Sequence, residues 1–390
     1  MALSDWEHSF KKFKAVGEYV YTDLEMDIPL AQPALTEEMI AESTRVLEEE
    51  YFLRGDSVKE FEAEFAEYIG VEHAISLDSG TRAIRFCLEA LGIGDGDTVL
   101  TTPGTFVSTA APILQIGAEI EFVDIDLETY TLDLNATEQV VSEKEVDAIL
   151  PVHLYGHPVD VPELKSIAPD TPVISDACQA HGATRNAERV GSFSDMAAFS
   201  FYPSKNMTVG GDGGMIVTDD PELARTARTL RDVGRDPETG EHVVLGYTAR
   251  LDSSNAAIGR KQLERLDEWN ERRREIARTY DTGLSGIDGL SLPPAETDDV
   301  KPAWYMYTVR TDQRDELQEH LSEREIETGI NYEKPVHRQP SFRGRGYDDT
   351  SFPAAEQWAD EILCLPSHPK MGDEEVDRVV KSVREFFEAR

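Results

Sequence analysis

Cysteine is scarce in this chain. Only Cys87, Cys178 and Cys364 occur among 390 residues, and their separations do not give the paired spacing of a zinc site. A sparse, odd number of cysteines also argues against a disulfide framework and favours a reducing compartment. We therefore expect a cytoplasmic protein without a metal centre.

Long apolar runs are also missing. No run approaches the roughly 18 residues of a membrane-spanning helix, and residues 1–13 lack an apolar stretch of signal-peptide length. We therefore expect a soluble protein that has no membrane partner.

Basic residues are in deficit. The chain has 38 Lys and Arg against 76 Asp and Glu, a formal net charge of -38. Such a chain repels nucleic acid and anionic membranes. One interpretation is ordinary acidity for solubility. The favoured one is a halophilic host, whose high internal salt screens the self-repulsion.

The remaining pattern predicts an α/β protein. The chain exceeds the length at which one hydrophobic core keeps growing, which favours a large and a small domain. Short apolar runs alternate with helix-length segments, so we expect a mainly parallel sheet covered on both faces, with ligands at the carboxyl ends of its strands. The predicted strands are residues 73–77, 98–101, 119–123, 148–152, 172–175 and 196–201.

Several helices can be placed from capping residues and apolar periodicity. Thr36 is expected to cap one helix, and Gly70 to end a second over residues 58–69. One long helix is predicted from about Asn255, with Arg272, Arg273 and Arg274 on its solvent face.

The sequence pattern changes after Leu284. A strand is expected at residues 305–309, with helices at 317–323 and 374–387. We interpret residues 1–265 as a large three-layer α/β/α domain that includes the N-terminal segment. Residues 266–390 are then a smaller α+β domain.

Lys205 is the most informative residue. It follows the apolar run at residues 196–201 and precedes the glycine-rich segment 210–214. A lysine in this context can bond covalently to a carbonyl cofactor, which would make the protein a pyridoxal phosphate enzyme. Taken alone, a lysine in a loop is more often a solvated surface group.

Matching parts occur at the ends of other predicted strands. Asp176 follows residues 172–175 and can pair with a pyridine nitrogen, although capping a helix is an equal alternative. Gln179 could donate to the phenolic oxygen of the same cofactor, and His181 could lie near its ring.

Two further segments suit the cofactor's phosphate and ring. Ser79, Gly80 and Thr81 stand between a strand and a helix, where free amides and hydroxyls can hold a phosphate. Helix capping without a ligand is the usual alternative. Phe106 offers an aromatic face for the ring, or simple core packing.

These segments together resemble the DegT/DnrJ/EryC1/StrS sugar aminotransferases, a family with the fold-type I architecture of aspartate aminotransferase. The resemblance runs from Pro29 through residues 151–156, 176–182 and the Lys205 segment to Leu365 and Pro366. It implies pyridoxal 5'-phosphate as cofactor, with pyridoxamine 5'-phosphate as an intermediate. It also implies a homodimer whose active sites are shared between subunits.

The resemblance assigns roles to individual residues. It implies that Lys205 bonds to the cofactor carbonyl and transfers the proton, and that Asp176 pairs with the ring nitrogen. The other implied cofactor contacts are Gly80, Thr81, Phe106, Gln179 and Ser200, while His181, Tyr305, Tyr332 and His337 match positions near the substrate.

One position departs from the family pattern. Thr248 stands where the family usually has an asparagine that reaches the neighbouring subunit's cofactor phosphate. A threonine hydroxyl can still donate to phosphate, but it is shorter than the asparagine side chain.

The resemblance implies transfer of an amino group from L-glutamate, or glutamine, to a 3- or 4-keto sugar carried by a nucleotide. The amino sugar nucleotide would serve glycan or polysaccharide biosynthesis. A dehydratase of the same family is one alternative, but that branch typically has histidine at the position of Lys205. A non-catalytic ligand-binding protein of this fold is another. A cysteine desulfurase would need a mobile catalytic cysteine, which neither Cys178 nor Cys364 suits.

Overall fold

The computed structural model of the chain describes residues 26–389, so the expectation for residues 1–13 falls outside the described part. The helices run in the order α1 (Glu37–Glu49), α2 (Asp56–Ile69), α3 (Gly80–Ala90), α4 (Val107–Gln115), α5 (Leu134–Glu143), α6 (Val161–Ile167), α7 (Pro221–Arg231), α8 (Ser253–Leu263), α9 (Leu266–Leu284), α10 (Arg314–Ser322), α11 (Pro353–Glu361) and α12 (Asp373–Glu388). The strands are β1 (His73–Leu77), β2 (Thr98–Thr101), β3 (Glu119–Phe122), β4 (Ala148–Ile149), β5 (Ile174–Asp176), β6 (Thr184–Arg185), β7 (Glu188–Arg189), β8 (Met196–Ser200), β9 (Gly214–Thr218), β10 (Val300–Lys301), β11 (Tyr307–Arg310) and β12 (Ile362–Leu365).

A mainly parallel sheet forms the centre of the large domain. Its strand order is β3-β2-β4-β5-β8-β9-β1, in which parallel bridges from Ile149 to Val173 and from Val152 to Asp176 join β4 to β5. Strand β9 is antiparallel to both neighbours, and the other pairs are parallel. The predicted fold-type I sheet is confirmed.

Helices cover both faces of this sheet. One buried cluster contains apolar residues of α3, α4 and α7, such as Phe86 and Ile113. A second contains residues of α2 and α8, including Phe61, Phe65 and Ala256. Two apolar faces on each strand require this three-layer arrangement.

The capping predictions for the first two helices are confirmed. The Thr36 hydroxyl accepts a hydrogen bond from the Met39 amide at 3.3 Å at the start of α1. Gly70 ends α2 with φ 90°, a left-handed conformation that glycine adopts without the cost of a side chain.

The single long helix predicted from Asn255 is wrong in two respects. Helix α8 ends at Leu263 and α9 begins at Leu266, so the segment is broken. Arg273, expected on the solvent face, is only 6% exposed. Its guanidinium donates to the carbonyl oxygens of Ser367 and Trp304, and these acceptors make its burial possible.

A smaller α+β unit follows. Strands β11 and β12 pair antiparallel, and Gly329 bridges to Cys364 of β12. Its buried cluster joins these strands to α9, α10 and α12. The domain boundary between residues 265 and 266 coincides with the break between α8 and α9 and remains a prediction. None of the helices within residues 26–389 is long and apolar enough to cross a membrane.

Candidate active site

A cavity of about 200 Å³ opens at the carboxyl ends of β5 and β8, next to the first turns of α3 and α4. Ligands of open α/β sheets bind at such strand ends. The cavity brings together most of the residues predicted from the sequence, namely Gly80, Thr81, Phe106, Asp176, Gln179, Ser200, Lys205, Tyr305 and Tyr332.

Lys205 is half-buried in the cavity wall. Its backbone amide donates to the Tyr202 carbonyl at 2.8 Å, in the tight turn that follows β8. Its Nζ lies 4.4 Å from the centre of the Tyr305 ring and makes no ion pair with any residue between 26 and 389. The amine is thus held beside an aromatic face and remains available to a ligand.

Asp176 is 6% exposed, and both of its carboxylate oxygens accept hydrogen bonds. The Cys178 amide donates to Oδ1 at 3.1 Å, and the Thr109 hydroxyl donates to Oδ2 at 2.7 Å. The contact to Cys178 closes a local turn, and the described chain begins no helix directly after Asp176, so the helix-capping alternative is wrong. The carboxylate also lines the cavity, where it can meet a protonated ring nitrogen.

Gln179 has a fixed orientation. The Tyr155 amide donates to its Oε1 at 2.7 Å, and its Nε2 donates to the Tyr332 hydroxyl at 3.3 Å. The Gln179 side-chain amide therefore presents its donor nitrogen on the side of Tyr332, in the wall of the cavity.

The first turn of α3 lies tightly against β8. Ser79 caps the helix, because its hydroxyl accepts from the Arg82 amide at 3.3 Å. A Cβ added at Gly80 would lie 2.6 Å from the Ser200 Cβ and 2.9 Å from the Cys178 Sγ. Only glycine fits there, so the positive end of α3 reaches the cavity beside the hydroxyls of Thr81 and Ser200.

An aromatic pair forms another wall. The rings of Phe106 and Tyr332 are stacked, with centroids 5.0 Å apart and an interplanar angle of 28°. Both rings line the cavity, and Phe106 is half-buried. Phe106 therefore does more than fill the core, since it offers apolar surface to whatever the cavity holds.

Three predicted residues are not brought to this cavity. His181 is buried, with its ring centroid 5.3 Å from that of Phe199, and burial lowers its pKa to about 3. His337 lies at 3.1 Å from Glu356, and burial lowers its pKa as well. Thr248 is exposed on a loop, away from the cavity of its own chain.

Other lining residues were missed from the sequence. Thr109 stands four residues after Thr105 at the start of α4, and this helical spacing next to a strand end could have indicated it. Ser204, whose hydroxyl is 3.1 Å from that of Tyr305, sits beside Lys205 and could have been included. Asp212 and Asn331 also line the cavity. Asp212 lies within the glycine-rich segment 210–214, whereas Asn331 carries no sequence signal that we can identify.

Cys178 lines the cavity without being suited to nucleophilic chemistry. Burial and the nearby Asp176 carboxylate raise the pKa of its thiol well above the usual value. An uncharged thiol is a poor nucleophile, which supports the argument against a desulfurase.

The residues fit pyridoxal phosphate. An available amine on Lys205, a buried carboxylate on Asp176 and the positive end of α3 are the groups that its carbonyl, ring nitrogen and phosphate require. Phe106 adds an apolar surface of suitable size for the ring.

Comparisons with known proteins agree with this geometry. Residues 33–384 match the DegT/DnrJ/EryC1/StrS aminotransferase family. The dTDP-3-amino-3,4,6-trideoxy-alpha-D-glucose transaminase of Streptomyces venezuelae is 40% identical over 365 residues, which are 93% of this chain and 96% of the relative. A protein of Geobacillus stearothermophilus named pleiotropic regulatory protein is 42% identical over 90% of this chain and 96% of its own.

Solved structures show the same likeness. DesV of Streptomyces venezuelae, in complex with a ketimine intermediate, superposes with a TM-score of 0.87 at 40% identity, covering 90% of this chain and 94% of its own. The PLP form of Spr1654 from Streptococcus pneumoniae gives a TM-score of 0.86 at 26% identity, covering 93% of this chain and 99% of its own.

Proposed function

This chain belongs to the DegT/DnrJ/EryC1/StrS aminotransferase family, and we propose that it transfers an amino group from L-glutamate to a nucleotide-linked keto sugar. The observation that carries the proposal is the cavity in which Lys205, Asp176 and Gln179 meet the first turn of α3. The similar transaminase of Streptomyces venezuelae is named for an amino group at carbon 3, so we propose a 3-keto sugar as the first acceptor to test.

The cofactor is pyridoxal phosphate, as in the solved form of Spr1654. When bound, it supplies a carbonyl group that bonds covalently to amines and a protonated ring that accepts electron density from the reacting carbon. Asp176 would hold the proton on the ring nitrogen, and Gln179 would donate to the phenolic oxygen. Gly80, Thr81 and Ser200 would hold the phosphate at the end of α3.

Lys205 has two tasks in this proposal. It holds the cofactor between turnovers, and its freed amine removes the proton from the α-carbon of the amino donor. In the second half-reaction the same Nζ delivers a proton to the carbon of the sugar that receives the nitrogen. For both tasks the Lys205 amine has to lie between the amino donor and the cofactor ring. Its location in the cavity wall beside Tyr305 suits this requirement.

Replacement of Lys205 tests the assignment. Lys205→Ala should abolish the visible absorbance band that depends on the covalent bond between Lys205 and the cofactor. It should also abolish the formation of 2-oxoglutarate from glutamate and a 3-keto nucleotide sugar in high salt. Lys59→Ala, which removes an exposed lysine, should retain both. A Lys205→Ala protein that keeps the absorbance band and the turnover would contradict the role of Lys205. A wild-type protein that binds cofactor but aminates none of a panel of 3-keto and 4-keto sugars would redirect the search to another acceptor.

We also propose that two copies of the chain share their active sites. Tyr51 is 85% exposed and Leu245 is 98% exposed, which is unusual for large apolar side chains. The segments that carry them lie side by side, because Arg54 is paired with Asp232, and Asp232 bridges to Thr248. A second copy seated on this surface could receive the Thr248 hydroxyl at its cofactor phosphate.

Mixed dimers test the sharing of sites. We expect Lys205→Ala and Thr248→Glu to be inactive separately, since the glutamate repels phosphate. Mixing the two and allowing subunits to exchange should restore about a quarter of wild-type activity, because half of the dimers are mixed and each has one intact site. Lack of recovery in dimers proven to be mixed would show that Thr248 does not act across the interface.

A further inference from the structure

A second, much smaller cavity adjoins the cofactor cavity behind Lys205. It lies between residues 30–34 and the first half of α9, and Ser204, Lys205 and Tyr305 line both cavities. Its free space is about 10 Å³, which is enough for one water-sized or monatomic species. Arg273 of α9 also lines this cavity, which we call the Arg273 pocket.

Arg273 is a buried cation without a carboxylate partner in the part of the chain described. Its Nη1 donates to the Ser367 carbonyl at 2.7 Å and to the Trp304 carbonyl at 3.4 Å. Neither Nε nor Nη2 donates to any residue between 26 and 389, and Nε is shielded from solvent. Burial lowers the pKa of the Arg273 guanidinium to about 10, a value at which it still carries its charge at neutral pH.

The walls of the pocket hold no acidic side chain. None of its lining residues within the described chain is Asp or Glu, although 76 of the 390 residues are acidic. Lys205 adds an amine, and His368 nearby is neutral because burial and Arg273 lower its pKa to about 4. A buried positive charge is costly unless an anion pairs with it. Because the described residues supply no anion, we expect an anion from solution to pair with Arg273.

We infer that the Arg273 pocket binds one small monovalent anion, either a halide ion or one carboxylate oxygen of an organic acid whose other atoms remain in the adjoining cofactor cavity. The donors available are Nη2 of Arg273 and the hydroxyl of Thr208, which accepts from the Gly210 amide and keeps its own hydrogen for an anion. The small free space excludes phosphate and sulfate.

The two candidate anions imply different roles for the pocket. A halide would be a resident ion of the site. A carboxylate would belong to a substrate that enters past Lys205 and Tyr305, and this arm alone rests on the proposed glutamate donor. Failure of sugar amination would leave the halide arm unaffected.

Halide binding can be measured directly on the cofactor-loaded enzyme in potassium sulfate. Crystals soaked in potassium bromide and measured at the bromine absorption edge should show an anomalous peak within hydrogen-bonding distance of Arg273. In solution, chloride should give saturable broadening of the ³⁵Cl resonance. Arg273→Met should weaken this binding by about 10- to 100-fold, the range for hydrogen bonds to a charged group.

Two variants control for the loss of an arginine. Arg273→Lys keeps the positive charge and should retain weakened binding. Arg274→Met removes the neighbouring arginine, which lies 2.8 Å from Glu271, and should leave halide binding unchanged. If Arg273→Met does not fold, the bromide peak in the wild-type crystal decides the question.

Glutarate, which has the carbon skeleton of glutamate without the amine, separates the two sources. Displacement of chloride by glutarate would identify the anion as a substrate carboxylate during turnover, and persistence of chloride would identify a resident halide. Both results support the site. A wild-type enzyme without a bromide peak at Arg273, whose chloride and glutarate affinities are the same in Arg273→Met, would overturn the inference.

Discussion

The reacting groups of the site are held by neighbours that are themselves fixed. Asp176 depends on the Thr109 hydroxyl for one oxygen and on the Cys178 amide for the other. Gln179 depends on the Tyr155 amide. Because these contacts exist before any ligand binds, the carboxylate and the amide are already oriented for a flat aromatic cofactor, which reduces the cost of ordering them on binding.

Removal of the Thr109 hydroxyl tests this support. Thr109→Val leaves a buried carboxylate oxygen without its donor, which should cost about 1–3 kcal/mol of unfolding free energy. Retention of the cofactor during dialysis should fall as well, because Asp176 can rotate. Thr44→Val, at an exposed helical position where the hydroxyl bonds the Ile40 carbonyl, should change neither. If Thr109→Val retains the cofactor as well as the wild type does, Thr109 does not support cofactor binding.

Buried histidines predict an acid-sensitive fold. Burial lowers the pKa of His153 and His181 to about 3, and that of His157 and His368 to about 4. Each is neutral in the folded chain but binds a proton in the unfolded chain below its ordinary pKa of 6.5. The unfolded state therefore binds more protons between pH 6.5 and 4, so stability should fall as pH falls through that range.

His181→Phe isolates one of these groups. The ring lies among Phe199 and Phe201, so phenylalanine should fit. Between pH 6.5 and 4, the unfolding free energy of the variant should depend less steeply on pH. Its slope should be smaller by up to about 1.4 kcal/mol per pH unit. Phe199→Leu alters the same packing without removing a titrating group and should shift stability equally at every pH. An unchanged slope in His181→Phe would mean that His181 is not buried and neutral in the folded protein.

At the scale of elements, the site depends on how closely α3 approaches the sheet. Its first turn lies over the start of β9, where Gly214 pairs with Leu77 on one side and Ser200 on the other. A Cβ at Gly214 would lie 2.4 Å from the Ser79 carbonyl oxygen. The glycine of β9 therefore sets the position of the helix end that would hold the phosphate.

Gly214→Ala should displace that helix end. We expect lower thermal stability and weaker binding of inorganic phosphate or pyridoxal phosphate to the cofactor-free protein, both measurable by calorimetry. Gly94→Ala is the matched control, because a Cβ there would meet only the Ile116 carbonyl oxygen at 3.9 Å. If Gly214→Ala binds phosphate as tightly as Gly94→Ala, the close approach of α3 and β9 is not what forms the phosphate site.

The elements show what the sequence could and could not predict. The apolar run at residues 73–77 defines β1, because a strand that helices cover on both faces needs apolar side chains on each face. The break between α8 and α9 contains no proline or glycine, and the helical spacing of apolar residues continues across it. The sequence pattern therefore predicts one helix where the structure has two. Arg273 was placed in solvent because its acceptors, the Ser367 and Trp304 carbonyls, are distant in the sequence and invisible to any local pattern.

The same limit applies to the site. Lys205, Asp176 and Gly80 each follow a predicted strand, so the edge of the sheet at which they meet could be inferred from chain order alone. Asn331 comes from the C-terminal part and reaches the cavity only through packing between the two units. His181 lies in the same segment as Asp176, residues 176–182. The turn between them nevertheless directs its ring into the aromatic core.

At the scale of the whole molecule, charge is the dominant feature. A net charge of -38 is spread over the chain, and many exposed carboxylates pair with basic side chains, as Glu49 does with Arg45 and Asp56 with Lys59. Pairs of this kind contribute little each, so they do not offset the repulsion among the excess carboxylates. The folded chain brings these charges together, and the repulsion therefore destabilises it relative to the unfolded chain.

Salt should consequently stabilise the protein. The Debye length falls from about 10 Å at 0.1 M to about 3 Å at 1 M ionic strength, so the thermal midpoint should rise steeply over that range. Potassium chloride and sodium chloride should act alike at equal ionic strength, since screening does not depend on the identity of the cation. Replacing a set of exposed loop carboxylates such as Glu145 and Asp170 by their amides should raise the midpoint at low salt and flatten its rise. A midpoint that does not change with salt would favour the alternative that the acidity serves solubility alone.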